Sequence, residues 1–181
     1  MEYFSLGHDH RLEAIGSHIT FPDQVIQGFE HADDFQVAVV KQGRKPGYSC
    51  LIEHPVLLVS DDIYQIFGRF TPHMKSKTVN VLNPNTYSQD TYYMLDVPEI
   101  DCLSLTHSII EKGNIKKLVI NEQQVGDKSI FKIKNVIRPS LVVRFDIAEA
   151  LLRTSLYGLE IQRILSEVGL EYGHGEKGWG K

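Results

Sequence analysis

The chain is poor in cysteine. Only Cys50 and Cys102 occur in its 181 residues, and they stand far apart. That excludes a disulfide-stapled mini-domain, and a pair of reduced thiols is the simplest expectation, which points to the cytoplasm. Neither a CxxC nor an HExxH spacing is present, so no ready-made zinc signature can be read. No segment approaches the roughly 20 apolar residues of a membrane-spanning helix. The opening MEYFSLGHDHR has no basic stretch followed by an apolar run, so no signal peptide is expected. A G-x-S-x-G nucleophile elbow fails because Leu51 stands where its second glycine should be. The glycines Gly173, Gly175, Gly178 and Gly180 follow no strand and open no helix, so they make no phosphate loop. Internal repeats, long linkers and heptads are also missing.

What is present is ordinary for a globular chain. Hydrophobic residues make up 42% and charged residues 23%, and the length suits one domain with a real core. The net charge of −4 disfavours nucleic acid and is compatible with a basic protein partner. Strands are predicted at Tyr3–Leu6 (a strand or an anchored terminus), Phe35–Lys41, Cys50–Glu53, Thr78–Leu82, Thr91–Val97 and Lys116–Asn121, from β-branched and aromatic runs bounded by breakers. The turn QGRKPG between the second and third suggests a hairpin. Residues 7–18 read as a polar loop, and Leu103–Glu111 fits a short helix or a strand equally. Short helices are expected after Phe21-Pro22-Asp23 and after Ser60-Asp61-Asp62, the latter ended by Gly68.

The most consistent signals lie in Ile130–Ile164. Ile130–Val136 alternates as an extended run, Arg138-Pro139 interrupts it, and Leu141–Phe145 reads as a more buried strand. Asp146 and Glu149 suit a capping box, Ala148, Leu151 and Leu152 continue a helix, Gly158 suits a left-handed cap, and Leu159, Ile161 and Ile164 begin another strand. The expected fold is a single strand-dominated α+β domain over residues 1–170, with a mixed or antiparallel sheet and a few short helices. Residues 171–181 are expected to form a flexible Gly-rich tail.

Chemistry-bearing residues are few. His8-Asp9-His10 places two imidazoles at strand alternation, where they could share an ion, but two ligands fall short of a zinc set; a polar surface loop is the stronger expectation. Ser49 and Cys50 lie near His54, as a nucleophile and base would, yet a structural cysteine explains them with less. Asp61-Asp62 suits a helix N-terminus, and Asp96, Glu99 and Asp101 flank a proline turn as solvated acids. Lys132 and Lys134 share a strand face without aromatic stacking partners, as lysines guarding a sheet edge do.

The run IFKIKNVIRPSLVVRFDIAEALLRTSLYGLEIQRI carries a resemblance. Phe131-Lys132-Ile133, Leu141–Phe145, Asp146, Ala148, Glu149, Leu151, Leu152 and Gly158 resemble the C-terminal pattern of the eleventh numbered immunity family of bacterial polymorphic toxin systems. Phe67–Pro72, Tyr92-Tyr93-Met94-Leu95 and Pro98, Ile100, Asp101 and Cys102 look similar to that family's middle, so the likeness spans about residues 56–164. It implies a cytoplasmic, non-catalytic protein that binds a cognate toxin protein and occludes it, without cofactor, metal, nucleic acid or membrane. No family site residues map onto numbered positions. The rival is a small hydrolase or metal-dependent enzyme using His8 and His10 or Ser49, Cys50 and His54. A structural or regulatory module in a larger assembly is a third expectation, which a stable homodimer without toxin binding would favour.

Overall fold

The computed structural model describes residues 1–9, 11–12, 15–43, 49–111, 114–136 and 141–167. The expected tail at 171–181, the Arg138-Pro139 interruption and His10 lie outside these residues. In chain order the elements are β1 (Tyr3–His8), a 3-10 turn (Ile15–His18), β2 (Ile19–Thr20), α1 (Asp23–Ile26), β3 (Phe35–Val40), β4 (Leu51–Ile52) and β5 (Leu58–Ser60). Then come α2 (Asp61–Phe70), β6 (Ser76–Asn83), β7 (Ser88–Leu95), β8 (Glu99–Ile100), β9 (Ile109–Glu111) and β10 (Asn114–Lys117). The last are β11 (Val119–Ile120), α3 (Glu122–Val125), β12 (Ile130–Ile133), β13 (Leu141–Arg144), α4 (Phe145–Leu152) and β14 (Leu159–Ser166). The fold is a strand-dominated α+β with mixed sheets and short helices, the class that the alternating apolar runs predict. No described helix is long and apolar enough to cross a membrane.

The chain divides into two compact units. The first takes the described residues of 1–6 and 98–148 and those from 161 onward. Its six-stranded sheet has the order β11-β14-β1-β13-β12-β8. The central pairs are antiparallel, with Tyr3 opposite Arg144 and Phe131 opposite Val142, while β11 and β14 run parallel. Tyr3, Cys102, Ile120, Val125, Phe131, Ile133, Val142 and Ile164 form its core. Most of the strong sequence signal of Ile130–Ile164 is spent here, because β12 and β13 are buried on both faces.

The second unit takes the described residues of 7–97 and 149–160. Its sheet has the order β2-β3-β6-β7-β5-β4. The predicted hairpin between residues 35–41 and 50–53 does not form: β3 pairs parallel with β6, and β4 pairs with β5 at the far side of the sheet. Strands β6, β7 and β5 lie between β3 and β4, so the two runs are too far apart across the sheet to close a hairpin. The long β6–β7 ladder, from Ser76 opposite Leu95 to Asn83 opposite Ser88, supplies the sheet's spine. The inner face packs Ala38, Val40, Val79, Val81, Tyr92 and Met94 against Ile15, Ile19, Phe21 and Val25.

Several local expectations change. Residues 7–18 contain the end of β1 and a 3-10 turn rather than a loop throughout. The helix α2 runs through Gly68 to Phe70 and closes at Thr71, whose backbone N–H and hydroxyl both donate to the Phe67 carbonyl. Ser60 holds the N-cap position, yet its buried hydroxyl has no partner among the described residues. Asp146 lies inside α4 and binds Arg144 at 2.5 Å, and Glu149 pairs with Arg153, so no capping box forms. Gly158 has φ +79° but opens β14, several residues after the helix has ended.

Candidate functional site

The densest buried polar cluster gathers His8, Ser49 and Tyr92. His8 Nδ1 lies 3.2 Å from Ser49 Oγ, and His8 Nε2 donates to the Leu12 carbonyl at 3.1 Å. The Ser49 hydroxyl donates to the Leu51 carbonyl at 2.9 Å, so Ser49 Oγ bridges His8 Nδ1 and the backbone. Tyr92 Oη donates to the Ser49 carbonyl at 2.9 Å. The Glu53 carboxylate accepts the His8 backbone N–H. Gly158 closes the cluster, since a Cβ there would stand 2.8 Å from Ser49 Oγ. The backbone continues the clasp, with Cys50 N–H on the Tyr157 carbonyl and Asp9 N–H on the Gly158 carbonyl.

This geometry redistributes the sequence candidates. The imidazole beside Ser49 comes from His8, 41 positions earlier in the chain, and not from the nearby exposed His54. A Ser–His contact is the start of a nucleophilic pair, but a nucleophile also needs access and an oxyanion donor. Ser49 is 1% exposed, and the cavity beside His8, Gly16, Glu53 and His54 holds about 40 Å³, room for a water molecule or two. The cluster is a closed polar clasp, shut off from solvent on the Ser49 side. Both His8 ring nitrogens are engaged, Asp9 pairs with Arg11, and no group of three or more metal-type side chains occurs among the described residues.

Cys50 is buried, and burial pushes its thiol up to about 12; the same effect lifts Cys102 to about 11. Neither offers a thiolate near neutral pH. Both thiols are expected to resist iodoacetamide at pH 8 in the native protein and to react at once in urea. Their folded values lie above the unfolded value of 9.0. Between these limits the unfolded chain holds fewer protons, so stability is expected to fall as pH rises from about 9 toward 11 and 12. Urea midpoints measured from pH 8 to 11 check the sign.

The second candidate is a surface. Side chains of β3 alternate, with Gln36, Ala38 and Val40 buried and Phe35, Val37 and Val39 outside. The more apolar face of this strand thus meets solvent. Phe35 is 58% exposed, Val37 40%, Val39 41%, and the neighbouring Leu82 of β6 37%. The register sets Phe35, Val37 and Val39 beside Thr78, Asn80 and Leu82, so all six lie on one face. Helix α2 covers the other half of that face, where Tyr64 stacks on Tyr93 at 4.0 Å and receives a hydrogen bond from Ser76. The bare half runs on into a shallow depression of about 390 Å³ lined by Val39, Leu82, Pro84, Tyr87 and Gln89. Tyr87 caps it from the β6–β7 turn, 96% exposed and with φ +54°. A bulky side chain in the left-handed region costs roughly 1–2 kcal/mol. In FQVAVV the Phe35, Val37 and Val39 set is the more apolar, so alternation alone favours burying it, and the structure turns it outward instead.

Fold and surface together define a strand-rich α+β protein with a clasped, closed polar cluster and one open apolar sheet face. Comparison of the chain with family models, with curated proteins and with solved structures finds no match in any of the three.

Proposed function

We propose that this chain is a non-catalytic protein-binding module, and in the finer reading an immunity protein that occludes a cognate bacterial toxin domain. The supporting observation is the inverted burial of β3, which hides Gln36 and leaves Phe35, Val37 and Val39 in water. Burying the apolar set would have been favourable by roughly 25 cal/mol per Å², and an exposed apolar patch of this kind marks an interaction site. Tyr87 adds a ring held out at a backbone cost, as an anchor residue would be. The toxin partner itself is supported only by the resemblance of Ile130–Ile164 and of the segments around Phe67–Pro72 and Tyr92–Cys102. The net charge of −4 is compatible with a basic partner.

The test is genetic and biochemical. The toxin domain encoded beside this gene should be captured by the purified chain, and co-expression should rescue growth. Leu82→Asp should abolish both while leaving the thermal midpoint unchanged. Failure of capture and rescue together sinks the immunity reading. A separate prediction concerns Tyr87. Tyr87→Gly removes the left-handed strain and is expected to raise stability by about 0.5–1 kcal/mol, while partner affinity falls at least tenfold. A substitution that stabilises the chain and weakens capture separates an interface role from a structural one.

A further inference from the structure

We propose that the partner is held by strand addition: an extended, basic-flanked segment pairs with the open edge of β3 at Phe35–Val37. This rests on the protein-binding reading above and adds the mode of recognition. The backbone directions fix which groups are free. Thr78 N–H donates to the Asp34 carbonyl, so in the parallel ladder the even-numbered residues of β3 bond toward β6. The odd-numbered residues point the other way, as Lys41 N–H does when it donates to the His18 carbonyl.

On that side β2 pairs only Thr20 with Val39 and Ile19 with Val40. Continuing the same register would bring Pro22 opposite Val37, but proline has no N–H. Its carbonyl is already taken by Val25 and Ile26 in the first turn of α1. The N–H and C=O groups of Phe35 and Val37 are consequently left without a backbone partner among the described residues. Natural edges are usually blunted by charge, proline or a covering element. Here the edge is short, yet it borders the exposed Phe35, Val37 and Val39, so main-chain pairing and apolar contact are offered together.

Charge selects the occupant. Asp33 and Asp34 immediately precede β3 and Glu30 lies just before them, all exposed. The nearby Lys77 does not offset them, because its ammonium donates to the Phe29 and Ala32 carbonyls and lies 4.7 Å above the Phe29 ring. A segment with alternating apolar residues and lysine or arginine at the end nearest Asp33-Asp34 is the complement. A second copy of this chain fits less well: antiparallel self-pairing would carry each Asp33-Asp34 toward the end where β2 already occupies Val39 and Val40.

The probe is a synthetic peptide of two lysines followed by valine, threonine and valine, short enough to stop before Val39 and Val40, where β2 is paired. Saturating peptide is expected to slow amide exchange at Phe35 and Val37 at least tenfold and to leave Ala38, which bonds toward β6, unchanged. Val37→Pro removes only an outward N–H, so it should keep its circular dichroism and thermal midpoint while binding at least tenfold more weakly. Asp34→Lys should reverse the preference between this peptide and one led by two aspartates. Unchanged exchange at millimolar peptide, equal binding by Val37→Pro, or an unaltered charge preference would each overturn strand addition. If Leu82→Asp abolishes toxin capture while Val37→Pro spares it, the edge proposal fails alone. If neither substitution matters, the face is not the interface.

Discussion

Alanine at Gly16 is expected to destabilise the protein by more than about 3 kcal/mol, enough to deplete soluble folded chain. Gly16 sits in the 3-10 turn before β2, and a Cβ there would stand 1.8 Å from the His54 carbonyl oxygen and 3.1 Å from Ile52 Cγ2. The first obstacle is backbone, so no rotamer change relieves it; the 15–18 turn and the 52–54 segment must move apart. Overpacking costs typically 1–3 kcal/mol where side chains can adjust, and this site lies at or beyond the upper end. Total stabilities of 5–15 kcal/mol make that a large share. Gly28→Ala is the control: Gly28 has φ +102° and no atom within 4 Å of a new Cβ, so it carries backbone strain alone. Equal thermal midpoints for the two variants would show that the Gly16 contact is not what closes this corner of the unit. A larger loss at Gly16, about twice that at Gly28, is the expected result.

Phe131→Ala is expected to cost about 3–5 kcal/mol, the range for removing a fully buried aromatic ring. Phe131 is 0% exposed and meets Tyr3 edge-on, with centroids 5.7 Å apart and planes at 75°. The pair ties β12 to β1 across β13, so its loss opens a cavity at the centre of the cluster with Cys102, Ile133 and Val142. Aromatic geometry adds roughly 0.5–1.5 kcal/mol beyond area. Phe131→Leu, which keeps most of the volume, should cost less than about 1.5 kcal/mol. Urea unfolding of both variants decides the point. A loss below 1 kcal/mol for alanine would mean that the cluster collapses around the gap and that Tyr3, not Phe131, organises it.

Both sites show where sequence reading succeeds and where it stops. Phe131 belongs to a run whose alternation, flanking breakers and β-branched neighbours all favour a strand, and its burial follows from that pattern. Gly16 carried no such signal. It looked like one glycine in a polar loop, and its role exists only because the 52–54 segment arrives from across the chain. Ser49 behaves in the same way: its nearest histidine in sequence was His54, but its partner is His8, brought there by the course of β1. Cys50 was readable as structural, and burial supplies the reason by keeping the thiol protonated.

The open face makes the limit clearest. Six residues, FQVAVV, announce a strand from the sequence alone, because β-branched residues suit a pleated surface. A strand has two faces, and a one-residue shift of register exchanges them. Only the parallel pairing with β6 and the packing of α1 against the inner side decide that Gln36 goes in and Phe35 stays out. The sequence by itself determined the strand-dominated α+β class, most of the strand positions and the absence of an obvious catalytic motif, since these follow from local pattern and backbone preference. The tertiary structure decided the closing of the Ser49 cluster, the burial sense of β3 and the free edge beside Pro22. Those depend on which distant segments meet, and no local pattern encodes that.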